Sequence, residues 1–248
     1  MDSKSPMNLR TYVVIAWMAF FHVESFPQHL DTAFVRASIQ HVGAVYQKSI
    51  ANQSHLYNGI EYISFETSLE KQGHPYYIED DWIEGSIEYN YEKYNKVPMR
   101  YDLQKQKIVI EYATGIGEIE LISEKINRFT LAGHAFTNIR NESNSIITPG
   151  FYDMLYQGKT QVLVKRQKII NKRQVSNNLI LEFLPRDKIY FCKKNVYFAI
   201  STKASVIKAL GDQKQAVKKF ISKNKIRYRS NREAALIKIA EHYDELLE

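Results

Sequence analysis

The chain has 248 residues, 44% of them hydrophobic, so it can bury a sizeable core and is not a disordered tail. Its 34 Lys and Arg against 27 Asp and Glu give a net charge of +7, which permits attraction to acidic partners without choosing among nucleic acid, anionic lipid and acidic glycan. A single cysteine, Cys192, excludes an intramolecular disulfide, and its setting in "IYFCKKNVYF" reads as a buried structural thiol.

The first ten residues, "MDSKSPMNLR", carry Lys4 and Arg10 and precede the apolar run "TYVVIAWMAFFHV". With Val23-Glu24-Ser25 offering a small-residue cleavage pattern before Phe26, residues 1–25 read as a secretory signal peptide. The apolar core is too short for a spanning helix of about twenty residues. A buried helix of a cytoplasmic protein is the alternative. The expected location is therefore outside the cytoplasm, periplasmic or associated with the outer membrane, and residues 26–248 form one domain with a candidate internal boundary at 140–150.

After the leader, Val35, Ile39, Val42, Tyr46 and Ile50 recur at helical spacing behind Asp31 or Thr32 as N-cap, predicting an amphipathic helix. From Leu56 to about Phe136 the period changes to two. In "GSIEYNYEKYNKVPMRYDLQKQKIVIEY" (85–112), Val97, Met99, Tyr101 and Leu103 alternate with Lys96, Pro98, Arg100 and Asp102, the pattern of a half-buried strand. Short intervening turns favour antiparallel hairpins and leave no room for parallel crossovers. The 17 tyrosines suit such a sheet, because a flat ring with a polar tip packs well on a pleated surface.

"RNESNSIITPG" (140–150) is polar and turn-rich, and further strands follow in 150–202. The remainder returns to helix. "SVIKALG" ends on Gly211 as a C-cap, and Ala216, Val217, Phe220 and Ile221 share one face behind Asp212 as N-cap. Ser230-Asn231-Arg232-Glu233 reads as a capping box ahead of the stripe Leu236, Ile239, Ala240, Tyr243 and Leu247. The fold class expected is α+β: a long curved antiparallel sheet or partly open barrel, with an N-terminal helix and C-terminal helices packed on it.

The phrases "HLYNGIEY" (55–62), "GHPYY" (73–77), "DDWIEGSIEYN" (80–90), "VPMRYDL" (97–103) and "GFYDMLYQGKTQVLVKR" (150–166), with the ending from "SVIKAL" onward, resemble a family of exported, uncharacterised proteins common in Bacteroidetes. The resemblance spans most of the mature chain. It implies the leader, the aromatic-rich strands and the helical tail, and it brings no assigned activity or catalytic residue. The chain departs from the pattern at Asn90 to Glu92, where a glycine turn is expected.

Three groups of residues are candidates for function. Between Lys203 and Arg232 there are ten Lys or Arg and one acid, Asp212, with Tyr228 between two arginines. Within that stretch Lys218, Lys219, Lys223, Lys225, Arg227 and Arg229 are candidates for contact with an anionic surface. The competing reading is the solvated face of an amphipathic helix. A second basic strip, Lys165 to Arg173, reads as hairpin residues that discourage edge-to-edge pairing. Glu79, Asp80 and Asp81 beside His74 and Trp82 are the most enzyme-like cluster, since paired carboxylates can do acid and base work and an aromatic can stack a sugar. Adjacent residues on a strand point to opposite sides, however, and Asp-Asp before Trp equally suits an exposed turn.

His74, Asp80 and Asp81 are thus the catalytic candidates, and Trp82, Tyr89 and Tyr101 the ligand-binding ones. His74 with Asp80 or Asp81 lacks a spacing that enforces coordination, so no metal and no cofactor is expected. The function expected is non-enzymatic binding or scaffolding in the cell envelope, with an envelope protein or a hydrophobic small molecule as partner. Peripheral membrane contact is included and nucleic acid is not. The alternative is an envelope hydrolase acting on glycan through Asp80 and Asp81.

Overall fold

The computed structural model describes residues 32–49, 55–64, 69–112, 115–140 and 146–247. The expected signal peptide, Asp31 and the segment 141–145 lie outside them. Among the described residues, no helix is long and apolar enough to cross a membrane. The chain divides into two compact units, residues 1–49 and 50–248. In the first, helix α1 (Thr32–Ser49) covers the predicted helical stretch, with Ile39 and Val42 of the apolar stripe exposed.

The second unit is mainly strand. In chain order these are β1 (Ile60–Glu61), β2 (Glu70–Gln72), β3 (Ile83–Tyr89), β4 (Glu92–Asp102), β5 (Lys107–Glu111), β6 (Glu118–Glu120) and β7 (Ile126–Leu131). They continue as β8 (His134–Ile139), β9 (Gly150–Gln157), β10 (Thr160–Lys165), β11 (Lys168–Val175), β12 (Asn178–Pro185), β13 (Lys188–Lys193) and β14 (Val196–Ile200). Three helices follow: α2 (Lys203–Ala209), α3 (Lys214–Lys223) and α4 (Arg232–Glu245).

Eleven strands make one open sheet in the order β1-β6-β5-β4-β3-β7-β8-β9-β10-β13-β14, and every pairing in it is antiparallel. The α+β architecture with a long antiparallel sheet, an N-terminal helix and C-terminal helices is as expected. The candidate boundary at 140–150 joins neighbouring strands, since β8 pairs directly with β9. A second sheet, β11-β12-β2, contains a parallel pair: Glu70, Lys71 and Gln72 of β2 align with Ile180, Leu181 and Glu182 of β12. Local spacing could not foretell it, because the partners are more than a hundred residues apart.

The long sheet is strongly curved, and the reason is visible in its rings. Strands β4 and β9 are four positions apart in the sheet, about 19 Å if it were flat at ~4.8 Å per strand. Yet the Tyr101 ring of β4 meets Phe151 of β9 edge to face at 5.8 Å between centroids. Phe129 and Phe136 stack at 4.6 Å between them. The sheet has folded over this face and filled it with aromatic side chains, the offset and edge-to-face contacts that ring quadrupoles favour. Opposite ends of the curve also touch, as the Gln106 side-chain amide donates to the Arg166 carbonyl at 2.8 Å.

A bulge helps the sheet bend. Between Gly85 and Ser86 the β3 and β4 register shifts, leaving Lys96 unpaired with φ 53°. A Cβ at Gly85 would run into the Thr130 carbonyl of the neighbouring strand. The first core, from Leu56 to Phe151, lies in this curl. A second core is built from β10, β13 and β14 and the three terminal helices.

The helix caps differ from the sequence expectation. Gly211 begins a 3-10 turn after the Leu210 C-cap, and Gln213, not Asp212, precedes α3. Asp212 instead accepts from Lys193 Nζ at 2.8 Å and Tyr243 Oη at 2.8 Å. Asn231 alone caps α4, accepting from the Ala234 amide at 3.0 Å, and Glu233 is drawn away to Arg166. Of the α4 stripe, Leu236, Ile239, Ala240 and Tyr243 are buried and Leu247 is exposed.

Candidate functional site

Asp102 is buried at the end of β4, where its carboxylate accepts the Gln104 and Lys105 amides and the Tyr62 hydroxyl, locking the turn into β5. One strand position pair back, Arg100 lies between two rings, its guanidinium carbon 4.3 Å from the Tyr76 centroid and 4.0 Å from that of Trp82. Its end pairs with Glu118 and with Asp80, 3.7 Å away. His74 continues the pile, stacked on Tyr76 at 6.2 Å.

Trp82 is therefore a plate of a guanidinium sandwich, its face already occupied. Asp80 is the exposed partner of that arginine and Asp81 is an exposed residue beside it. His74 Nδ1 is buried without a hydrogen-bond partner, and burial, with Lys168 nearby, lowers its pKa. The structure does not bring His74, Asp80 and Asp81 together within hydrogen-bond reach. Tyr62, Tyr76 and Trp82 thus cover what would be the wet face of β4 at Arg100 and Asp102.

The two tyrosine candidates are packing residues. Tyr89 and Tyr101 are both fully buried in the first core, and Tyr101 donates its hydroxyl to Gln106 Oε1 at 3.0 Å.

A second polar cluster was not foreseen. Asp153, on β9, is fully buried and receives Arg166 Nε at 2.9 Å, Arg166 Nη2 at 2.7 Å and His134 Nδ1 at 2.9 Å, all on one oxygen. Arg166 also grips Glu233 of α4 through both terminal nitrogens, at 2.6 and 2.9 Å, and Asp187 at 2.9 Å. One guanidinium thus ties β9, the turn before β13 and the first turn of α4 together. Burial raises the Asp153 pKa, with Arg166 and His134 working against that rise. Arg166 occupies the place a bound cation would need. Among the described residues, no group of three or more His, Cys, Asp or Glu is arranged to hold a metal.

The third place is the helical end of the molecule. Two concavities adjoin there, sharing Ala204 of α2. The first, of about 650 Å³, is rimmed by Lys203, Arg227 and Arg229 over a floor that includes Ile226 and Tyr228. The second, of about 520 Å³, is rimmed by Lys208, Lys214 and Lys218 beside Ile207 and Gly211. All six cations are exposed, and none is paired with a carboxylate among the described residues. The one acid in the stretch, Asp212, is engaged by Lys193 and Tyr243, and the Lys193 hydrogen bond holds its carboxyl below the usual range.

The helix geometry sorts the basic candidates. Lys214 and Lys218 are four apart and share a face of α3, whereas Lys219 and Lys223 turn away from it by about 100° per residue. Arg227, Arg229 and Lys218 therefore line the concavities, while Lys219, Lys223 and Lys225 are exposed elsewhere on the same end. Lys203, Lys208 and Lys214 were not singled out from the sequence, although the Lys214 and Lys218 spacing carried the signal. Tyr228 is not free to stack on a base, since it is 9% exposed and its hydroxyl accepts from Arg232 Nε at 3.2 Å.

A scan of the sequence against protein-family models finds no match, and comparisons of the chain with curated proteins and with solved structures find none either.

Proposed function

We propose that this chain is a non-enzymatic protein of the cell envelope that binds an anionic membrane surface through its C-terminal helices. The observation that carries the reading is the pair of adjoining concavities with six exposed cations and no carboxylate partner. What sets this end apart is that its six cations are gathered three around each of two adjoining hollows, while the one acid of the stretch, Asp212, is engaged by Lys193 and Tyr243. Each Lys or Arg brought to an anionic bilayer contributes about 1 kcal/mol, decaying over a Debye length of ~8 Å at physiological salt. Small apolar residues between the cations suit a surface whose headgroups sit above hydrocarbon. The export leader and the resemblance to exported proteins supply the compartment in which such a surface is met.

Co-sedimentation with phosphatidylcholine vesicles containing about a third phosphatidylglycerol tests this. Binding is expected that is absent on pure phosphatidylcholine and falls steeply as salt rises from about 50 to 500 mM. The quadruple variant Lys214→Gln, Lys218→Gln, Arg227→Gln and Arg229→Gln should bind at least ~tenfold more weakly with unchanged melting temperature. No binding at low salt, or binding to an oligonucleotide duplex without binding to the vesicles, would overturn the reading.

A further inference from the structure

We propose that the two concavities receive the two phosphates of a single lipid headgroup, an inference that rests on the anionic-surface reading above. The cations are divided into two sets of three, each around its own hollow: Lys203, Arg227 and Arg229, then Lys208, Lys214 and Lys218. Helix α2 runs from one to the other. Its Lys203 and Lys208 are five residues apart, a rise of about 7.5 Å and a turn of about 140° that places Ala204 between them around the helix. Two phosphates joined by a three-carbon bridge reach a separation of the order of that rise, and the flexible four-carbon stems of the lysines span the turn. Among the described residues the side chain common to both hollows is that of Ala204, exposed and too small to block a bridge lying across it. A headgroup with one phosphate fills one hollow and leaves the other set of cations facing water.

When the second phosphate binds from a ligand already held by the first, its encounter is intramolecular, and affinity rises without any new kind of contact. A diffuse layer of single phosphates carries the same charge without that linkage.

The test compares vesicles of phosphatidylcholine doped with cardiolipin, which carries two bridged phosphates, against vesicles doped with twice the mole fraction of phosphatidylglycerol, so that surface charge is equal. Binding to cardiolipin is expected to be about tenfold tighter. Ala204→Phe leaves every charge in place and puts a ring on the saddle, and it should erase the preference while keeping the binding to phosphatidylglycerol. Arg227→Gln with Arg229→Gln, and separately Lys214→Gln with Lys218→Gln, should each do the same with a general loss of affinity. Equal affinity for the two vesicles at matched charge overturns the two-phosphate inference and leaves the anionic-surface reading standing. Failure to bind either vesicle overturns that reading itself.

Discussion

Asn90 and Tyr91 turn β3 into β4 with φ of 51° and 68°, so both central residues of this hairpin are left-handed. Paired positive φ values match the right-handed twist of the flanking strands, and glycine is the usual second residue. Tyr91 takes that place with 86% of its surface exposed, so its ring contributes little packing to offset the backbone strain. Tyr91→Gly is expected to stabilise the protein by up to about 1 kcal/mol, read as a melting temperature higher by ~2–4 °C. The missing glycine is visible in the sequence as "NYE", while the turn type follows only from the register.

Asp153 carries a pH signature. Its folded pKa lies above the unfolded value because burial disfavours the charge. The folded chain then holds this proton more tightly than the unfolded one, so the contribution is present below the unfolded value near 3.8 and is lost as pH rises through the folded pKa. Asp153→Asn should remove that part of the decline. Urea unfolding of both proteins at closely spaced pH values above 4 checks it, and an unchanged slope would count against the assignment. Nothing in the local sequence marked Asp153, His134 or Arg166, because the three meet only when β8, β9 and β10 align.

At the scale of elements, α4 is held to the sheet by Asp244 as well as by Glu233. The Asp244 carboxylate accepts the Tyr156 hydroxyl at 3.0 Å, the Thr160 amide at 3.0 Å and the Thr160 hydroxyl at 2.7 Å. The turn between β9 and β10 lies against this carboxylate at Gly158. A Cβ there would run into Asp244 Oδ2 and Tyr156 Oη. Gly158→Ala is expected to cost ~1–3 kcal/mol, seen as a lower urea midpoint, whereas Gly211→Ala, with open space around its Cβ, should leave overpacking out of account. The apolar stripe of α4 was legible because burial enforces its period. The fates of Asp212 and Glu233 were not, since each meets a stronger cationic partner from the sheet than a helix amide offers.

For the whole molecule, the alternation of Val97, Met99, Tyr101 and Leu103 correctly announced a sheet with a buried face, and all four are buried. It could not announce that the other face would also be covered at Arg100 and Asp102, because besides Glu118 and the Gln104 and Lys105 amides these polar residues meet Tyr62, Tyr76 and Trp82, which lie well before them in the chain. Curvature was likewise hidden in contacts between strands that are far apart in the sheet. The parallel pairing of β2 with β12 belongs to the same class of long-range facts. The basic end was visible as a count of charges, and its division into two hollows required the packing of α2 against the segment that follows α3.

The two cores draw on successive stretches of chain: every residue of the first lies between Leu56 and Phe151, and every residue of the second between Val162 and Tyr243. One sheet nevertheless runs through both. A chain that becomes available from its amino end can therefore complete the first core while the second is still missing, and for that interval β9 is the sheet's open border, offering unsatisfied amides and carbonyls to any passing strand. The arrival of β10 covers β9 and passes the border on to β13 and finally to the short β14, and Glu233 closing on Arg166 clamps the junction. Order of synthesis, as much as strength of contact, then governs whether the molecule reaches its native state or joins a neighbour.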